Sequence, residues 1–146
     1  MSEHRVSANR AGDRAGWIQP LLGFGFGAAY LIVGLAGFTV SDGHSFADHD
    51  GGKPLGIFMV NPLHNVAHLA VATLLLAAAY AGVRTARLAN LTVGAVYLLL
   101  GVAGLFVLSS SANILALNSP DNALHFASAL VLLGVGLAAP KVAAAA

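Results

Sequence analysis

Two short sets of polar residues recur along an otherwise apolar chain: Asn61, His64, Asn65 and His68, then Asn118, Asp121, Asn122 and His125. Both follow steps of three, one and three, which on an α-helix bring all four side chains to one face. His64 and His68 have a common helical ligand spacing. Asp121 stands in the second set where His64 stands in the first. Together His64, His68, Asp121 and His125 offer three imidazoles and a carboxylate, a donor set that zinc accepts and that iron or manganese could use. His68 and His125 alone could instead be the axial ligands of a b-type haem. A plainer chemistry competes with both. The same groups can cap helices and hydrogen-bond across an interface, at about 0.6–2 kcal/mol per bond in a membrane bundle. Asn61, Asn65, Asn118 and Asn122 read as that structural polar stripe, because an amide near a helix start reaches a free backbone group or the opposing set.

The elements that carry these residues follow from composition. The 146 residues are 58% hydrophobic and 9% charged, with no cysteine, and the mean hydropathy is +0.79. A soluble domain is roughly 25% charged, so this is a membrane composition. A net charge of +1 gives no reason to expect a nucleic-acid partner. Without cysteine there are no disulfides, thiolate metal sites, thiol nucleophiles or c-type haem attachment. About 20 apolar residues cross a bilayer, and four segments qualify: 18–40, 62–83, 88–109 and 120–139. The expected fold is therefore an all-α four-transmembrane-helix bundle, residues 17–140, between an N-terminal tail 1–16 and a C-terminal tail 141–146. Polar groups inside such spans are costly unless they face a partner, so the two stripes belong in the bundle interior.

Basic residues set the expected orientation. Arg5, Arg10, Arg14, Arg84, Arg87 and Lys141 fall on one side and Lys53 alone on the other, which predicts both termini and a short 84–87 turn in the cytoplasm. Trp17 sits where an interfacial anchor belongs. At the two helix starts, Asn61 with Pro62 and Ser119 with Pro120 are the expected cap and first-turn proline.

The stripes are not the only duplication. Gly27-Ala28-Ala29-Tyr30-Leu31-Ile32-Val33-Gly34-Leu35-Ala36-Gly37 in the first span parallels Gly94-Ala95-Val96-Tyr97-Leu98-Leu99-Leu100-Gly101-Val102-Ala103-Gly104 in the third. From Gly27 to Gly94 the step is 67 residues and from Asn61 to Asn118 it is 57, so the first outer connection is the longer by 10. Two similar helical hairpins, entering from the same side, form a parallel internal repeat with its pseudo-two-fold along the membrane normal. The stripes then lie at one depth, near the outer face, and oppose each other.

Gly56-Ile57-Phe58-Met59-Val60-Asn61-Pro62-Leu63-His64-Asn65-Val66-Ala67-His68-Leu69, with Asp121-Asn122-Ala123-Leu124-His125, resembles the signature of a bacterial membrane family, the domain of unknown function DUF4383 common in actinobacteria. The likeness runs from about Trp17 to Leu137; Pro120 stands where the family pattern has a small residue. It implies a four-span plasma-membrane protein and brings no activity with it.

Three functional readings follow. The first is a non-enzymatic accessory or interaction protein in the lipid bilayer, alone, as a homo-oligomer or within a larger membrane complex, since no full catalytic set appears. The second is a redox component with a transition metal or b-type haem on His64, His68, Asp121 and His125. The third is a small transporter or pH sensor gated by histidine protonation, acting as an oligomer because no ionisable path continues below His68 and His125.

Overall fold

The computed structural model describes residues 2–138, with side chains from Gly16 onward. Lys141 and the expected tail 141–146 lie outside the described residues, as does Ala139 at the end of the fourth expected span. The described residues form four α-helices and no strand: α1 Ser2–Ser41, α2 Pro62–Ala81, α3 Val83–Val107 and α4 Ser119–Ala138. Each is long and apolar enough to cross a membrane, the apolar part of α1 being Gly16–Ser41. Leu21, Tyr80, Leu99, Phe106, Leu130 and Leu137 on their outer faces are at least 69% exposed. Apolar surface on this scale is stable only where the surroundings are apolar too.

Helix boundaries depart from the sequence expectation at two places. The connection between α2 and α3 is Gly82 alone, at φ 119°, and α3 begins at Val83. Arg84 and Arg87 therefore ride on the first turns of α3 rather than in a turn. A left-handed glycine reverses the chain in one residue where an L side chain would be strained, so no longer loop is needed. The second departure is the start of α4. Asn118, not Ser119, is its cap: Asn118 Oδ1 accepts from the Asp121 amide at 3.0 Å. Asp121 Oδ2 accepts from the Asn118 amide at 3.2 Å, closing a reciprocal capping box. Ser119 and Pro120 become the first two helical residues, where free N–H groups are not required. Asn61 caps α2 the same way, accepting from His64 N at 2.8 Å.

Packing is most extensive between α1 and α2 and between α3 and α4, with α3 also touching α1 and α2; the α1–α4 seam is the loosest. The core holds Tyr30, Ala72, Leu75, Val93, Tyr97, Ala129 and Leu132. In lipid such burial contributes close van der Waals packing rather than release from water, which is why small residues recur at the helix contacts. The long connections 42–61 and 108–118 lie together at one end of the bundle, the loop end. The start of α1, Gly82 and the end of α4 lie at the other.

Candidate functional site

The polar residues gather at the loop end, and most of them hold backbone. Asn61 is fully buried. Besides capping α2, its Nδ2 donates to the Asp48 carbonyl at 2.7 Å and to the Ile114 carbonyl at 2.8 Å, tying both loops to one side chain. Asn118 Nδ2 donates to Ile57 O at 2.8 Å, and Asp121 Oδ2 accepts from Met59 N at 3.0 Å. Loop 42–61 is thus stitched to the first turn of α4. Asn65 Nδ2 donates to Ser41 Oγ at 3.0 Å, joining α2 to the end of α1. Asn65 Oδ1 lies against the α-carbon of Gly37, and Asn122 Oδ1 lies in the same way against Gly104. This is the geometry of a weak Cα–H···O contact, here made twice.

Beneath the caps, five buried rings close a circuit. His64 and His68 lie 4.4 Å apart between centroids, His68 stacks on Tyr30 at 5.5 Å, and Tyr30 meets Tyr97 edge-on at 5.3 Å. Tyr97 stacks on His125 at 5.1 Å, and His125 returns to His64 at 6.1 Å. The structure therefore brings His64, His68 and His125 together, with 8% exposure or less. The Nδ1 atoms of all three are buried without a hydrogen-bond partner. Among the described residues no three His, Asp or Glu side chains form a metal-binding group.

Tyr30 also donates to Ser128 Oγ at 2.9 Å, linking α1 to α4. Tyr30→Phe should lower stability by about 1 kcal/mol, the net value of one buried hydrogen bond. Thermal unfolding in detergent should show Ser128→Ala matching it and the double variant adding little.

Two cavities adjoin the rings. A small one of about 90 Å³ lies between α2 and α3 against His64, His68, Tyr97 and His125. A larger one of about 420 Å³ lies in the α1–α4 seam under loop residues Pro54, Leu55, Phe58 and Val60, with His68, His125 and Asp121 in its wall.

A second polar cluster, at the opposite end, escaped the sequence reading. Gln19 and Asn90 are both fully buried. Asn90 Nδ2 donates to Gln19 O and to Gln19 Oε1, each at 3.0 Å, and Gln19 Nε2 donates to Val135 O at 3.1 Å. Arg87 Nε donates to Gly136 O at 2.7 Å. The available signal was an amide inside each of two apolar spans, without the repeat that drew attention to the other stripe.

Four bilayer-length helices around a polar, ring-lined core at one end define a membrane-type, all-α helical bundle. Residues 21–138 match the family described as Domain of unknown function (DUF4383), and the chain belongs to that family. No curated protein and no solved structure matches it.

Proposed function

We propose that this chain is a non-enzymatic accessory protein of the plasma membrane whose buried polar residues clamp the extracytoplasmic loops onto four spans. The observation that carries the reading is Asn61, a fully buried amide whose polar atoms end on the backbone of α2 and of both loops. Groups so committed to backbone serve architecture before chemistry. The loop end faces outward and both termini face the cytoplasm, in keeping with the excess of Arg at the other end. The exposed apolar faces meet lipid, further copies of the chain or a larger membrane complex.

The bundle is best understood as one hairpin used twice. In support, Tyr30 stacks on His68 as Tyr97 stacks on His125, and Gly37 meets Asn65 as Gly104 meets Asn122. Each pair is related by the same two sequence steps, 67 and 57, that relate the duplicated motifs.

Two measurements test the reading. The absence of native cysteine makes single-cysteine labelling clean. Ser45→Cys should react with an impermeant maleimide in intact cells and Thr85→Cys only after lysis; the reverse pattern overturns the orientation. The purified protein should have no Soret band and no stoichiometric metal. Either signal, lost in His68→Ala/His125→Ala, would replace the accessory reading with a redox one.

A further inference from the structure

The α1–α4 cavity carries an inference beyond that role. Its volume of about 420 Å³ falls within the range of small-molecule sites, roughly 300–1,000 Å³. Its walls are mostly apolar, with the aromatic rings of Tyr30 and Phe58 among them and one carboxylate, Asp121. Asp121 is 4% exposed. Two backbone amides hold its Oδ2, and no hydrogen bond among the described residues reaches its Oδ1. No Lys or Arg among the described residues lines the cavity, and the close contact of His49 Nδ1 with Asp48 Oδ1 lies on the exposed loop. Lys53, the basic residue of that loop, is exposed and outside the lining. A buried carboxylate is ordinarily paired, and one within a membrane span calls for its partner to be named.

We infer that this cavity binds a lipophilic organic cation, its charge beside Asp121 and its apolar body along α1 and loop 54–60. An anionic lipid would meet the carboxylate as a like charge. A neutral acyl chain would leave the carboxylate without a countercharge. A monovalent cation with a greasy surface satisfies both the carboxylate and the walls. The low-dielectric surroundings strengthen the attraction, and the rings of Tyr30 and Phe58 line the same cavity. His68 and His125 stand in the same wall. Entry is through the loosest seam of the bundle. Over it stands Leu55, at φ 57° and 87% exposed, a non-glycine residue held in the left-handed region of the kind that clusters at ligand clamps.

The test is equilibrium binding to the purified full chain in detergent, using two probes of nearly equal shape and opposite charge, tetraphenylphosphonium and tetraphenylborate. The phosphonium should bind saturably and the borate should not. Asp121→Asn keeps an acceptor for the Met59 and Asn118 amides, so it should fold, yet it should weaken phosphonium binding about tenfold or more, the loss of one charge-assisted contact. Ala36→Phe, which fills the cavity from α1 and leaves Asp121 intact, should abolish binding while the helical circular dichroism is retained. Equal binding of both probes, or phosphonium binding indifferent to Asp121→Asn and Ala36→Phe, overturns the inference. Since the readout is in detergent, it does not depend on the orientation or accessory role proposed above.

Discussion

Asn61→Ala should destabilise the protein by about 3–5 kcal/mol, more than any other single loss in the polar stripes. The side chain is completely buried and makes a hydrogen bond with each of three backbone groups: His64 N–H, the Asp48 carbonyl and the Ile114 carbonyl. Alanine leaves all three without that partner. A net hydrogen bond is worth about 1 kcal/mol, but a buried group left unsatisfied costs about 1–3 kcal/mol, and few waters can reach a fully enclosed site to replace the amide. Asn118→Ala is the natural control. It removes a cap of the same kind and one bond to Ile57 O, but Asn118 is half-buried and water substitutes there, so about 1 kcal/mol is expected. Asn61→Ser should recover about 1 kcal/mol relative to alanine, because a hydroxyl can still cap α2 but is too short to span both loops. Thermal unfolding in a mild detergent gives the three values in one series. A loss at Asn61 no larger than that at Asn118 would mean that the two loops are held by something other than this amide.

The sequence carried the helices and the stripes because their signals are local. Apolar length marks a span wherever it occurs, and a three–one–three step of polar residues is visible only if those residues share a face. The meeting of His64, His68 and His125 followed from treating the stripes as equivalent. The ring circuit did not follow, since it needs Tyr30 and Tyr97 at the depth of His68 and His125, and depth depends on how far each helix slides along its neighbour. The cap of α4 was misplaced by one residue, because Ser119 and Asn118 are both good caps; the bond between Asn118 and Asp121 decides it. Gln19 and Asn90 lie 71 residues apart, and nothing in their local sequence says that they meet. The α1–α4 cavity was beyond reach for a related reason. It exists because α1 and α4 stand apart where α2 and α3, joined through Gly82, cannot, and because loop 54–60 roofs the gap instead of filling it.

Gly52→Ala should be nearly as damaging as Asn61→Ala, for a purely steric reason. Gly52 lies outside the left-handed region that glycines 43, 56 and 82 occupy, so an L residue can adopt its backbone conformation. At such a position alanine ordinarily stabilises by about 0.4–1 kcal/mol, by restricting the unfolded chain. Here the added carbon would land on the Val40 carbonyl and near the Ser41 amide, the last turn of α1. Backbone cannot swing aside as the end of a side chain can, so the whole of loop 42–61 must lift. Gly52 is also where that loop folds back on itself: its carbonyl accepts from Val60 N at 2.9 Å, one residue before the Asn61 cap. Lifting Gly52 therefore pulls on the side chain that holds both loops. Overpacking of this kind costs about 1–3 kcal/mol and occasionally more, and the coupling to Asn61 places the expected loss near the top of that range, about 3 kcal/mol. Gly25→Ala, within α1 and with nothing inside 4 Å of the new methyl, should do the opposite and stabilise by about 0.5–1 kcal/mol, the helix preference of alanine over glycine. Limited proteolysis reports the mechanism as well as the magnitude: Gly52→Ala should be nicked within 42–60 at temperatures where the parent chain and Gly25→Ala stay intact. Equal protection of all three would show that the loop does not rest on α1, and with it the roof of the cavity would be lost.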